Sequence, residues 1–206
     1  MSFFILVFVL YTLVNGYLFS KGWKALPKNN VVRTIYTLVF FLVYAAFPLA
    51  MLGRNHIWLP FQKAMYMLGT GWMAVILYLT LYFLLTDLVF FINKFASFLP
   101  KGWTKKPTWH RIQTVSGIVI VAMLLSYGYY HFTHPSITQQ EIVINKSGNK
   151  HREIKVVGIS DIHLGITVDK DRLQTFVNLI NEQKPDLILI AGDIIDNNLY
   201  PLIEEK

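Results

Sequence analysis

The stretch VVGISDIHLG, residues 156–165, decides how the polar end of this chain is read. An apolar run breaks at Asp161, His163 follows two positions later, and Gly165 closes the stretch. A strand that carries polar side chains at its own tip has this pattern. On an extended backbone, the i, i+2 spacing sends the Asp161 and His163 side chains the same way. Upstream, ITQQEIVIN (137–145), the turn signal SGNK (147–150) and EIKVVGIS (153–160) predict a β-hairpin. Downstream, Leu173, Phe176, Val177 and Ile180 recur at helical spacing. Val168 to Gln183 therefore reads as an amphipathic helix, capped by Asp169 or Thr167. Pro185 stops it, and DLILIAGD (186–193) is a short, fully apolar strand. The whole is a β-α-β unit, in which the strands run parallel and the crossover is right-handed.

In such units the chemistry gathers beyond the carboxyl ends of the strands. Asp161 and His163 close one strand here, and Asp193 with Asp196 closes the next. If the strands are neighbours, Asp193 lies on the same rim, one strand spacing away. Three carboxylates and an imidazole crowded together repel one another unless a cation neutralises them. Mixed oxygen and nitrogen donors suit an ion of the Mn, Fe or Zn type. Gly158, Gly165 and Gly192 fit places where backbone passes close or turns tightly. The chain has no cysteine, which excludes disulfides, thiolate metal sites and a cysteine nucleophile.

The preceding residues are of another kind. Apolar residues make up 54% of the 206 and charged residues 15%, against about 25% charged in an ordinary soluble domain. Residues 1–134 hold eleven Lys/Arg and a single acidic residue, Asp87, for a net +10, whereas residues 135–206 carry a net −3. The basic excess thus belongs to the loops between apolar stretches and does not indicate nucleic-acid binding. Four stretches, about 3–19, 34–53, 67–92 and 112–130, are long enough to span a bilayer as helices, which takes roughly 17–25 residues. Lys21, Lys24, Lys28 and Arg33 fall in the first loop, and Lys94, Lys101, Lys105, Lys106 and Arg111 in the third. The second loop has only Arg54 and Lys63. This asymmetry places loops one and three in the cytoplasm, and both termini and the polar tail outside it.

Trp23, Trp58, Trp103, Trp109 and the Tyr127, Tyr129, Tyr130 cluster fall at span ends, where aromatic rings favour the headgroup layer. His131 and His134 are read as interface residues of the same kind. Pro48 is expected to kink the second span, and Ala46 with Ala50 would permit close helix approach. Asp87, the one carboxylate within a span, is expected to pair with Lys94 or another cation of the third loop.

ISDIHLG (159–165) and AGDIIDN (191–197) resemble the first two motifs of the calcineurin-like metallophosphoesterases, Asp-x-His and Gly-Asp-x-x-Asp. The resemblance covers about residues 153–197. It implies that Asp161 and His163 bind one metal ion, that Asp193 bridges two, and that Asp196 orients a histidine from the family's next motif. It also implies two divalent ions of the Mn, Fe or Zn type and the hydrolysis of phosphomonoesters or phosphodiesters. Asn197 stands where protein phosphatases of the family carry a phosphate-binding arginine, which argues against that role. The family's third motif, Gly-Asn-His-Asp/Glu, and its later histidine motifs do not occur in these 206 residues.

The expected fold class is an α-helical membrane domain of four transmembrane helices (1–134) followed by the start of an α/β metallophosphoesterase sandwich (135–206). About 70 residues cannot complete two sheets, so apolar strand faces are expected to lie uncovered. The expected function is a membrane-anchored, metal-dependent phosphoesterase, with this chain truncated and inactive alone. The lipid bilayer is its partner, and a headgroup or lipid-linked phosphate its substrate. The alternative is a non-catalytic membrane interaction module with a remnant phosphoesterase tail. A transporter or channel rests on Asp87 alone.

Overall fold

The computed structural model describes residues 2–52, 58–97, 99, 102, 107–144, 153–165 and 167–195. The chain forms two compact units, Met1–Ile137 and Thr138–Lys206.

The first unit holds four helices: α1 (Ser2–Ala25), α2 (Asn30–Leu52), α3 (Leu59–Ala96) and α4 (Pro107–Thr133). All four are long and apolar enough to cross a membrane, and their most apolar windows have a mean hydropathy of 1.6–2.3. Only 11–17% of the residues in those windows are buried within the protein, so the remaining apolar surface needs lipid to cover it. α1, α3 and α4 overrun the apolar stretches that predict them at both ends and α2 at its N-terminal end, because the edge of an apolar run does not by itself end a helix. Local chemistry does. Asn29 caps α2, its Oδ1 accepting from the N–H of Val31 (2.9 Å) and Val32 (3.3 Å). Ser97, at φ 48°, closes α3 by donating its N–H to the Asn93 carbonyl at 2.9 Å. At 38 residues, α3 is roughly 57 Å long and outreaches a hydrocarbon layer of about 30 Å.

Leu18, Phe40, Ile76 and Phe83 form the core of this unit, one from α1, one from α2 and two from α3. The Phe40 ring meets Trp72 edge-on at 5.4 Å and Phe19 at 5.2 Å. α2 packs most extensively on α3, and small residues make that approach possible. Ala46 and Ala50 are buried, and a Cβ on Gly69 would stand 2.6 Å from the Phe47 backbone. Polar groups between the helices satisfy one another. Asn15 donates to the Tyr11 carbonyl (2.8 Å) and accepts from the Trp72 indole (2.9 Å), while the Tyr82 hydroxyl meets that of Ser116 at 2.7 Å.

The partner expected for Asp87 is corrected. Asp87 takes an ion pair from Lys21 of α1 and a 2.8 Å hydrogen bond from the Tyr17 hydroxyl. Lys94 instead lies 6.0 Å from the centroid of the Phe91 ring. Tyr17 and Lys21 are one turn apart on α1, so both reach the same carboxylate across to α3.

In the second unit, β1 (Val156–Ser160), α5 (Lys170–Glu182) and β2 (Leu187–Ala191) follow in order. The strands pair in parallel from Val156↔Leu187 to Ser160↔Ala191. Asp169 caps α5, its carboxylate accepting from the Arg172 N–H at 3.0 Å. Leu173, Phe176, Leu179 and Ile180 are half-buried, whereas Val177, expected on the same face, is exposed. Lys184, at φ 50°, and Pro185 turn the chain into β2. Asp186 then locks the start of the pairing, its carboxylate accepting from the Lys155 N–H (2.9 Å) while its own N–H donates to the Lys155 carbonyl (2.8 Å). Leu187, Ile188, Leu189 and Ile190 are all exposed, so both faces of β2 are open among the described residues.

The predicted hairpin is not seen. Residues 138–144 carry no sheet pairing, and among the described residues β1 pairs only with β2; the turn at 147–150 lies outside the described residues. Ile142, Val143 and Ile144 are consecutive and all exposed, so no single face of that segment has a reason to dock.

Candidate metal centre

The ladder between the two strands continues past their ends. The N–H of Asp161 donates to the Ala191 carbonyl (3.1 Å), that of His163 to Asp193 (3.0 Å) and that of Leu164 to Ile194 (2.9 Å). DIHL and AGDI therefore lie side by side, and the Asp193 N–H reaches the Asp161 carboxylate at 3.3 Å. Gly192, at φ 74°, passes directly beneath that carboxylate, and a Cβ there would collide with it. The close passage expected at Gly192 is present. Gly158 has open space around it, which corrects the reading made there. Gly165 is buried and turns the chain, its N–H donating to the Val168 carbonyl at 3.0 Å.

The geometry at the strand tip differs from the extended backbone expected of it. Asp161 and His163 both have φ 51°, in the left-handed region. Such a conformation costs a residue with a Cβ on the order of 1–3 kcal/mol, and aspartate and histidine are among the residues that adopt it most readily. Two in alternation, at the tip of β1, mark a backbone held in place by the ladder to the neighbouring strand. The residue types at these positions are the only signal of this in the sequence.

Asp161, His163 and Asp193 are all exposed on this rim. Among the described residues, no three His, Asp or Glu side chains come together as a group able to hold one ion. Asp196 lies outside the described residues. The structure thus joins Asp161 to Asp193 through the backbone of the second motif, and it brings His163 onto the same strand end.

Residues 154–206 match the model of the calcineurin-like phosphoesterase family. A transmembrane protein with metallophosphoesterase domain from Danio rerio is 36% identical over 91 residues, which are 44% of this chain and 21% of that protein. An uncharacterized metallophosphoesterase of Campylobacter jejuni is 22% identical over 94% of this chain and 50% of its own length. A third relative, the uncharacterized metallophosphoesterase YkuE of Bacillus subtilis, is 40% identical over 74 residues, 34% of this chain and 26% of that protein. The chain therefore spans at most about half the length of these relatives. No solved structure matches it significantly. The match to the calcineurin-like phosphoesterase family thus covers residues 154–206, and these follow four helices of membrane-crossing length and apolarity.

Proposed function

We propose that the protein hydrolyses phosphate esters, monoesters or diesters, at a centre of two divalent cations held in part by Asp161, His163 and Asp193. The observation that carries this is the Asp161 carboxylate seated on Gly192 and bonded to the Asp193 N–H. Two acidic strand ends meet there as one rim. The donor set fits the group: carboxylate oxygens with one imidazole suit Mn, Fe or Zn better than a soft ion. When bound, such ions lower the pKa of a coordinated water and neutralise charge on the phosphoryl oxygens.

The chain's own residues supply position. The left-handed turns at Asp161 and His163 fix where both side chains leave the backbone, and Gly192 leaves room for the Asp161 carboxylate against the neighbouring loop. Asp193 supplies a second carboxylate whose own N–H already anchors the first. Asp196 is assigned the orientation of a histidine from the family's next motif, by resemblance. A headgroup or lipid-linked phosphate is the proposed substrate, supported by the four apolar helices, and the Lys/Arg asymmetry supports an extracytoplasmic location for the phosphoesterase part.

Mn²⁺ titration of the chain in detergent micelles, followed by electron paramagnetic resonance, tests the centre apart from turnover. Asp161→Asn and Asp193→Asn should each weaken binding at least about tenfold. Where the gene product extends through the later family motifs, Asp193→Asn should abolish Mn²⁺-dependent hydrolysis of bis(4-nitrophenyl) phosphate. Unchanged binding and turnover in these variants would sink the assignment and favour a non-catalytic module.

A further inference from the structure

We propose that the recess between α1 and α2 binds the headgroup of an anionic phospholipid, with Arg33 as its phosphate contact. The recess has a volume of about 300 Å³ and is lined by Trp23, Asn30, Arg33, Thr34, Thr37 and Leu38. That is the small end of the range of ligand pockets, roughly 300–1,000 Å³.

Arg33 is fixed in place before any ligand arrives. Its Nε donates to the Pro27 carbonyl at 3.2 Å, and its guanidinium carbon lies 4.7 Å from the centroid of the Trp23 ring. Both contacts leave the terminal amino groups without a hydrogen-bond partner among the described residues. A planar guanidinium held by one edge and one face presents the geometry that grips a phosphate with two parallel hydrogen bonds.

The surrounding charge is uncompensated from within. Asp87 is the only acidic residue among residues 1–134, and Lys21 occupies it. Lys24 and Lys28 flank the α1–α2 turn, and Arg111 of α4 reaches the same end of the bundle, its Nε donating to the Ala25 carbonyl at 3.3 Å. None of these cations has a carboxylate in this half of the sequence to pair with. The counter-charge must come from outside the unit.

The pattern along α2 says what kind of anion. Asn30, Arg33, Thr34 and Thr37 make a polar wall, and beside it Val31, Ile35 and Leu38 form an exposed apolar stripe at i, i+4, i+7. A molecule with an anionic head and an apolar tail satisfies both. A free phosphate would leave the stripe bare.

The test is thermal unfolding of the chain in maltoside micelles, followed by circular dichroism at 222 nm. The titrants are dihexanoyl phosphatidylglycerol, dihexanoyl phosphatidylcholine and sodium phosphate. Phosphatidylglycerol should raise Tm saturably, and the other two should not. Arg33→Gln should move the phosphatidylglycerol midpoint upward at least about tenfold, whereas Arg111→Gln should move it less than about threefold. Arg33→Lys keeps the charge but loses the fork, and it should fold and show a midpoint raised at least about threefold. An equal response to phosphatidylcholine or to phosphate overturns the proposal. So does an Arg33→Gln chain that titrates like its parent or, if that variant does not fold, an Arg33→Lys chain that does so.

Discussion

Gly192 has two independent reasons to lack a side chain. Its φ of 74° disfavours any other residue, and the Asp161 carboxylate occupies the space a Cβ would need. Gly192→Ala should therefore destabilise the second unit by about 2 kcal/mol and lift Asp161 off the Asp193 N–H. Hydrogen exchange checks this. The amides of Asp161, His163 and Leu164, which donate to residues 191, 193 and 194, should exchange at least about tenfold faster. Asp161→Asn, by contrast, removes charge from a residue type that tolerates the left-handed region, so it should weaken metal binding while leaving those amides protected. The meeting of Asp161 with Asp193 was legible in the sequence because successive parallel strands put their carboxyl ends on one rim. The left-handed turns were not legible. Aspartate and histidine only lean toward positive φ, and the neighbouring strand decides whether they take it.

Among the elements, α5 shows how far local rules carry. Its periodic apolar residues, its Asp169 cap and its stop at Pro185 are sequence signals that the structure retains. Asp169→Ala should cost about 1 kcal/mol, seen as a lower denaturation midpoint of the second unit. The hairpin upstream is not seen among the described residues, because turn signals and β-propensity do not supply a partner, and two strands alone are marginal. In the first unit the helices were legible from length and apolarity. Their pairings were not, since lipid-facing and helix-facing surfaces are equally apolar. The Asp87 pairing is the clearest case, because its partner is 66 residues away on α1 and not the nearby Lys94. Asp87→Leu leaves Lys21 unpaired between the rings of Tyr17 and Phe83, so Tm should fall. Breaking a fully buried pair costs about 3–5 kcal/mol; the Asp87 side chain is 42% exposed, so the loss should be smaller. The exchange Lys21→Asp with Asp87→Lys should recover most of it. Equal damage from the single and double changes would show that the charges do not act as a pair.

For the whole molecule, a basic apolar half and an acidic polar half in one chain were plain from composition, and each has become a unit of its own. Nine Lys/Arg in loops one and three against two in loop two make a definite topological prediction. A periplasmic alkaline phosphatase reporter fused after Lys206 should be active, and one fused within residues 98–106 should be silent. The reverse pattern would invert the assignment. The Lys21–Asp87 pair adds a constraint on biogenesis. A ribosome adding roughly 5–20 residues per second makes Lys21 about 3–13 s before the carboxylate that neutralises it, since the two are 66 residues apart. Throughout that interval α1 is an apolar helix with an unmatched ammonium, which can only stretch toward the headgroups to stay hydrated. Arrival of α3 brings that charge its carboxylate, beside the rings of Tyr17 and Phe83. The first span thus gains its counter-charge only after the third has been synthesised, and translation sets the timing of that step.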